Sequence, residues 1–414
     1  MSSNVSEPSP YAVLRNPNYL LYLIGRFIAS FGQQMLTVAV GWELYERTHS
    51  SLSLGLVGLT QFLPMVLMTL PAGHIADTRN RKHVIIAMQI VLVFASLGLA
   101  WISFSHATVA WVYACLFASG LARTFLWSAS ASFMPQLVTR EQFPRAVAWS
   151  ANSFQFSAVT GPAIGGGLIA LTHNAATIYL LNAAAAAVCL TLVCFVRSKH
   201  KPVVKADFSL AGLLGGFHFV FKTDVILGAV TLDMFAVLFG GATALLPVYA
   251  KDILHVGPSG LGLLEAALPV GSLVCGLYMA HRPPMMKAGQ TLLLGVAVFG
   301  LAMIGFGFSK SFPLSWLMLF LGGFADNISV VVRHTLVQLL TPDEMRGRVS
   351  AVNNLFIGTS NELGGFESGF VSNFFGPVVS VVSGGIATIL IVGGIAAKWP
   401  KLRNYGRLVP PSSL

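Results

Sequence analysis

Four charged residues interrupt long apolar runs of the chain: Arg26, Arg123, Asp233 and Asp326. An ionisable group at the centre of a membrane-spanning helix costs roughly 2.5–3.5 kcal/mol on insertion scales, so the sites that keep one are expected to face the protein interior. The chemistry open to such a set is proton binding and release. A carboxylate can load and unload a proton as its access to water changes, and a nearby arginine sets the field in which it does so. Arg333 follows Asp326 by seven residues and so shares its helix face. Glu265, Glu362 and Glu367 lie in further apolar stretches, as secondary proton-carrier candidates or as partners for Arg333. The competing reading of the set is a static salt bridge with no chemical role.

Other chemistries find no residues to carry them. The histidines are scattered, and no His/Cys/Asp group has metal-ligand spacing, so no metal is expected. Cys115, Cys189, Cys194 and Cys275 all lie in apolar runs without a CxxC pair and read as small core residues. No phosphate-binding glycine loop is present, so ATP is not the expected energy source. No nucleophile–base pair can be named, which argues against an enzyme. No cofactor is expected.

The elements that position these charges follow from composition. Of 414 residues 55% are hydrophobic and only 10% charged, with mean hydropathy +0.74. Soluble domains carry roughly 25% charged residues, so this chain cannot clothe a water-facing surface and is expected in a lipid bilayer. With about 20 apolar residues needed per crossing, twelve spans are expected: 19–44, 53–76, 83–104, 108–134, 146–171, 175–197, 224–250, 258–280, 289–309, 313–340, 349–372 and 376–397. The polar N-terminal stretch lacks the basic start and cleavage site of a signal peptide, so the first span is expected to be retained as an anchor.

The net charge of +10 is read as topology rather than as affinity for nucleic acid, which is not an expected partner. With the N-terminus inside, nineteen Lys and Arg fall in cytoplasmic connections, and only Arg47, Lys251 and Lys310 fall outside. That asymmetry places both termini in the cytoplasm. The longest polar connection, RSKHKPVVKAD (residues 197–207), leads into FSLAGLLGGFHFVF, which could lie in the interface plane. The expected organisation is therefore a six-helix bundle over 1–197, a cytoplasmic linker over 198–222 and a second six-helix bundle over 223–414. An internal repeat supports it. QLVTREQFPRAVAWSAN from Gln136 aligns with QLLTPDEMRGRVSAVNN from Gln338, each after the fourth helix of its half. Under that register Arg123 falls beside Asp326, and RFIASFG from Arg26 parallels DMFAVLFG from Asp233. The first half then presents cations and the second anions. A repeat of this kind is expected in transporters with a pseudo-two-fold axis along the membrane normal.

Two motifs narrow the reading. GHIADTRNRK (residues 73–82) forms the connection after the second span, and it resembles the major facilitator superfamily signature Gly-x-x-x-Asp-Arg-x-Gly-Arg-Lys. Gly73, Asp77, Arg81 and Lys82 match. Thr78 stands where the family has Arg, and Asn80 where it has Gly; asparagine tolerates a left-handed turn, so the backbone is expected to be kept. The resemblance implies a fold of two pseudo-symmetric six-helix bundles, all-α, with helices 1, 4, 7 and 10 lining a cavity. It also implies a cytoplasmic gate in which Asp77 faces the start of helix 11 near Arg348 and is clamped by Arg81. SAVTGPAIGG (residues 157–166) resembles the antiporter motif of drug-exporting members, with Gly161, Pro162, Gly165 and Gly166 matching and Ser157 in place of the first Gly. Its small residues are expected to pack helix 5 tightly against helix 8. Helices 7 and 10–11 resemble the bacterial exporter branch that includes enterobactin exporters. That resemblance implies a monomeric transporter of the bacterial inner membrane, exporting a small amphipathic molecule (siderophore, drug or metabolite) by proton antiport. An importer or facilitator, or a non-transporting receptor, is the alternative.

Overall fold

In the computed structural model of the chain, residues 11–197, 210–283, 285–342 and 344–408 are described, and every regular element among them is helical. In order they are α1 (Pro17–Thr48), α2 (Ser51–Thr78), α3 (Arg81–Ser105), α4 (Val109–Leu137), α5 (Phe143–Thr172), α6 (Ala176–Phe195), α7 (Leu210–Lys222) and α8 (Asp224–Phe239). There follow α9 (Leu246–Val248), α10 (Gly257–Ala280), α11 (Ala288–Phe308), α12 (Phe312–Leu340), α13 (Arg346–Phe375), α14 (Pro377–Lys398) and α15 (Pro400–Arg403). Apolar runs of this length become helices because lipid offers no partner to a free N–H or C=O, and a helix satisfies both internally.

Eleven stretches among the described residues are long and apolar enough to cross a membrane, Asp224–Ile253 counting as one. Each coincides with an expected span. The one expected span left over, the eleventh (349–372), corresponds to α13, whose 30 residues suffice in length. Asn353, Asn354, Asn361, Glu362 and Glu367 make it too polar to qualify on composition.

The seventh expected span is not a continuous helix. Gly240 and Gly241 end α8, and a 3-10 turn (Ala242–Leu245), the single turn α9 and a π turn (Tyr249–Ile253) carry the chain onward. Glycine is required at the break by close approach. A Cβ on Gly241 would lie 2.4 Å from the Gly364 carbonyl oxygen, and one on Gly364 would lie 2.8 and 2.9 Å from those of Val237 and Leu238. Histidine supplies several helix stops: His49, His106, His173 and His255, one each after α1, α3 and α5 and before α10, adopt φ of 48–54°. Histidine is among the few non-glycine residues enriched in this left-handed region.

The chain divides into two compact units, and the boundaries in α1, α2 and α5 fall inside helices. The first holds α1 to Leu36, α2 from Pro64, α3, α4, α5 to Gly161, and α6. Within it α3 packs on α4 and α6, around a core that includes Tyr19, Tyr22, Ile85, Phe133, Cys189 and Val193. The second holds α1 from Thr37, α2 to Leu63, α5 from Pro162, and α7 to α15. Within it α11 packs on α12 and α14, the same pairing pattern that α3 makes with α4 and α6. Its core includes Leu232, Leu292, Val296, Val332, Leu336 and Leu402. A further cluster joins Val220 of α7 to Ile226, Val337, Val349 and Val352, so α7 is packed on α8, α12 and α13 and is not a free strip.

Candidate functional site

The second unit gathers a buried charged group. Arg333 of α12 donates from Nη2 to Asp233 Oδ1 of α8 at 3.0 Å and from Nη1 to Asn353 Oδ1 of α13 at 3.1 Å. Arg333 is 2% and Asp233 4% exposed. Asp326, part-buried and two turns from Arg333 on α12, lies within Coulombic reach of both Asp233 and Arg333. Arg333 is thus ion-paired to Asp233, with Asp326 on the Arg333 face of α12. Among the described residues Arg333 Nε and Ser329 Oγ are buried without a hydrogen-bond partner. Asp326, Ser329 and Arg333 recur at i, i+3 and i+7 and so form one polar stripe along α12. The stripe exists because α12 runs unbroken over 29 residues, holding those positions in phase.

The remaining acids stand apart from this ion pair. Glu265 of α10 is part-buried, as are Glu362 and Glu367 of α13. Ser368 Oγ donates to Glu367 at 3.4 Å. The Glu362 backbone oxygen would lie 2.5 Å from a Cβ on Gly58, so α13 meets α2 at close range. Arg26 and Arg123 belong to the first unit, and both are exposed. Arg26 Nη1 donates to the Tyr22 hydroxyl at 3.3 Å and lies over that ring at 5.9 Å from its centroid.

The GHIADTRNRK connection has a different local structure from the one expected. Asn80 has φ −65° and ψ 112°, and its side chain accepts from the Lys82 backbone N–H as the N-cap of α3. It is not in the left-handed region; asparagine serves this position because it caps a helix. Arg81 is buried, with Nε donating to the Ala76 carbonyl at 3.1 Å. Lys82 Nζ donates to the carbonyls of Cys194 and Val196 at 2.8 and 2.9 Å, at the end of α6 where a helix dipole favours a cation. Gly73 is part-buried in α2. The Asp77 side chain lies outside the described residues, and with it the expected clamp to Arg81 and the expected approach to Arg348.

The SAVTGPAIGG stretch runs through α5. Gly161, Pro162, Gly165 and Gly166 are all buried. In the second unit, a Cβ on Gly166 would lie 2.3 Å from the Pro258 carbonyl oxygen, and one on Gly262 would lie 2.2 Å from that of Pro162. α5 and α10, the eighth expected span, therefore touch backbone to backbone. In the first unit, a Cβ on Gly161 would meet Gln34 Cβ at 2.7 Å.

Sequence reasoning missed a second polar set in the second unit. The Tyr45 hydroxyl donates to Asp252 Oδ2, Lys251 Nζ pairs with Glu46 at 3.0 Å, and Ser372 Oγ bonds Ser51 Oγ at 2.9 Å. These contacts join the end of α1 to the π turn and the start of α2 to the end of α13. Asn353 was also missed, although it stood in the aligned repeat. Nothing in that alignment distinguished the residue that binds Arg333 from its neighbour Asn354.

Comparison with known proteins agrees with this architecture. The family model of the Major Facilitator Superfamily matches residues 22–365. Enterobactin exporter EntS of Citrobacter koseri (strain ATCC BAA-895 / CDC 4225-83 / SGSC4696) and that of Escherichia coli O1:K1 / APEC are each 25% identical over 397 residues, which is 96% of this chain and 95% of theirs. Among solved structures, the nucleoside transporter NupG superposes with TM-score 0.72 at 13% identity, covering 92% of this chain and 99% of its own. A bacterial homologue of the human lysosomal transporter Spinster, in an inward-facing and unoccupied conformation, gives 0.70 at 16% identity, covering 96% and 99%. Those two likenesses bear on the fold alone. With its length matched from the first span into α13, and its helices packed as an internal repeat, the chain belongs to the Major Facilitator Superfamily and is a multi-pass membrane transporter of small molecules, not an enzyme.

Proposed function

We propose that the chain exports a small amphipathic molecule (a siderophore, drug or metabolite) across the bacterial inner membrane by proton antiport, as a monomer with both termini in the cytoplasm. The observation that carries this reading is the buried Arg333–Asp233 ion pair, with a second acid, Asp326, on the Arg333 face of the same helix. Arg333 balances one carboxylate, so a proton on the other balances the group. A site of this kind, deep in the spans, suits a coupling ion that arrives and leaves as access alternates. The export direction draws on the similarity to enterobactin exporters and on the glycine contacts of α5 with α10, a packing suited to sealing a leak path. The organisation into halves at 1–197 and 223–414, with a linker at 198–222, belongs to the same reading.

Gly73, Asp77, Arg81 and Lys82 act in it as the cytoplasmic gate, with Gly161, Pro162, Gly165 and Gly166 as the antiporter seal. Arg26, Arg123, Glu265, Glu362 and Glu367 are cavity or secondary proton-carrier positions. The positive-inside distribution assigns the α1–α2 connection to the outer face. The contacts of Tyr45, Glu46 and Ser51 with Asp252, Lys251 and Ser372 then close that face.

The test uses purified protein in liposomes with an internal pH dye, an imposed proton gradient, and a panel of amphipathic drugs and catecholate siderophores. A proton flux that depends on substrate and is lost in Asp233→Asn or Asp326→Asn is the expected result. Coupled flux that persists in both variants overturns the assignment of the carrier. Substrate flux indifferent to the gradient overturns antiport in favour of a facilitator.

A further inference from the structure

We infer that Arg26 is the counter-charge of a ligand subsite, and that the transported molecule carries an anionic group beside an aromatic or other flat apolar body. This inference rests on the transporter reading and deepens it by naming the charge of the substrate.

Arg26 of α1 and Arg333 of α12 both interrupt apolar helices, yet they have opposite surroundings. Arg333 is buried against Asp233 at 3.0 Å, so its charge is balanced within the protein. Arg26 is exposed although it lies within a span, in the first third of α1, and no carboxylate among the described residues lies within ion-pair distance of it. Its hydrogen-bond partner is the Tyr22 hydroxyl at 3.3 Å. The side chain in contact with it is thus a phenol, with no acid beside it among the described residues. A guanidinium within a span that lacks an acid partner among the described residues and remains accessible is a functional position by default.

The cleft into which Arg26 opens is small and is lined by both polar and aromatic side chains. Its wall brings together Arg26, Phe27 and Ser30 of α1 with Ser150, Ser153 and Phe154 of α5. Arg26 and Ser30 are one turn apart, as are Ser150, Ser153 and Phe154, so each helix turns one face to the same space. Phe27 lies 5.9 Å from the Phe156 ring and 6.2 Å from the Phe31 ring. Guanidinium donors bind a carboxylate, sulfonate or phenolate through paired hydrogen bonds. Serine hydroxyls can donate to the remaining lone pairs. The phenyl rings accept a flat apolar body in offset or edge-on contact. A cationic ligand would meet repulsion from Arg26 here, and a purely apolar one would leave the guanidinium without an acid partner.

The test measures equilibrium binding to the full chain in lipid nanodiscs near neutral pH, with empty nanodiscs subtracted. The probes are radiolabelled 2-naphthoate, its neutral amide, and 2-naphthylmethylammonium. The expected result is saturable naphthoate binding at least about tenfold tighter than that of the amide, the scale of a charge-assisted pair, with the ammonium weakest. Arg26→Gln should equalise acid and amide while amide binding persists, which also reports that the variant is folded. Arg26→Lys should restore part of the preference for the acid. Equal binding of acid and amide to the native protein overturns the inference. So does a preference unchanged in Arg26→Gln, tightest binding of the ammonium, or no saturable binding of any probe. No gradient is present, so a failure of proton antiport in liposomes leaves this result standing. Proton-driven export of a cationic amphiphile would uphold transport and overturn the subsite.

Discussion

At the scale of single residues, the largest energies lie in the Arg333–Asp233 pair. Removing one partner of a buried ion pair strands the other charge, at a cost of roughly 3–5 kcal/mol. Arg333→Gln should therefore lower the thermal unfolding midpoint of the detergent-purified protein sharply, and Asp233→Asn added to it should recover much of that loss. If the double variant is as unstable as the sum of the singles, the two side chains do not act as a pair. Asn353→Ala removes one acceptor from a guanidinium whose Nε already lacks a partner. The expected cost is about 1–3 kcal/mol, below that of the stranded charge. Asp233, Asp326 and Arg333 were all legible in the sequence as charges in apolar runs. Which acid pairs with Arg333 was not. Periodicity places Asp326 and Arg333 on one face, but the partner that reaches Nη2 comes from another helix, and only tertiary packing sets that distance.

At the scale of elements, contacts of very different worth hold the second unit together. Lys251 and Glu46 form an ion pair at 3.0 Å with side chains 23% and 50% exposed; water screens such a pair, leaving about 0–1 kcal/mol. The α5–α10 contact leaves no such latitude, because a Cβ on Gly166 would fall 2.3 Å from a backbone oxygen. A methyl group there must push two helices apart, at about 1–3 kcal/mol. Gly166→Ala should accordingly lower the unfolding midpoint more than Lys251→Ala, and the reverse order would show that α5 and α10 part easily. The motif around Gly161 and Pro162 was readable as small-residue packing, and its neighbour helix was named correctly. The break at Gly240–Gly241 was not read, since the run remains apolar on both sides and a hydropathy window registers one continuous span. The turn at Asn80 was misread for a related reason: one residue type suits both a left-handed turn and a helix N-cap, and the following backbone decides between them.

At the scale of the whole molecule, composition settled the class, because a chain with so few charges has no soluble surface to offer. Twelve helices emerged from length alone, and the one that fails a composition test, α13, is polar because it carries Asn353 and the two glutamates. The grouping of helices into units was beyond sequence reasoning. α1, α2 and α5 each divide part-way along their length, and the helical repeat carries no mark of such a point. Orientation rests on charge. Nineteen Lys and Arg on one side against three on the other make a bias strong enough to fix topology during insertion. Arg140 lies in the connection after α4 and Lys310 in the one after α11, and both are exposed. An odd number of crossings separates them, so the two must face opposite sides. With the four native cysteines replaced, Lys310→Cys should react with a membrane-impermeant maleimide on cells whose inner membrane is intact, whereas Arg140→Cys should react only after that membrane is opened. The opposite pattern would invert the orientation and leave the helix count standing. Labelling of both from one side would mean that a crossing between them has been miscounted, and would undo the positive-inside argument with it.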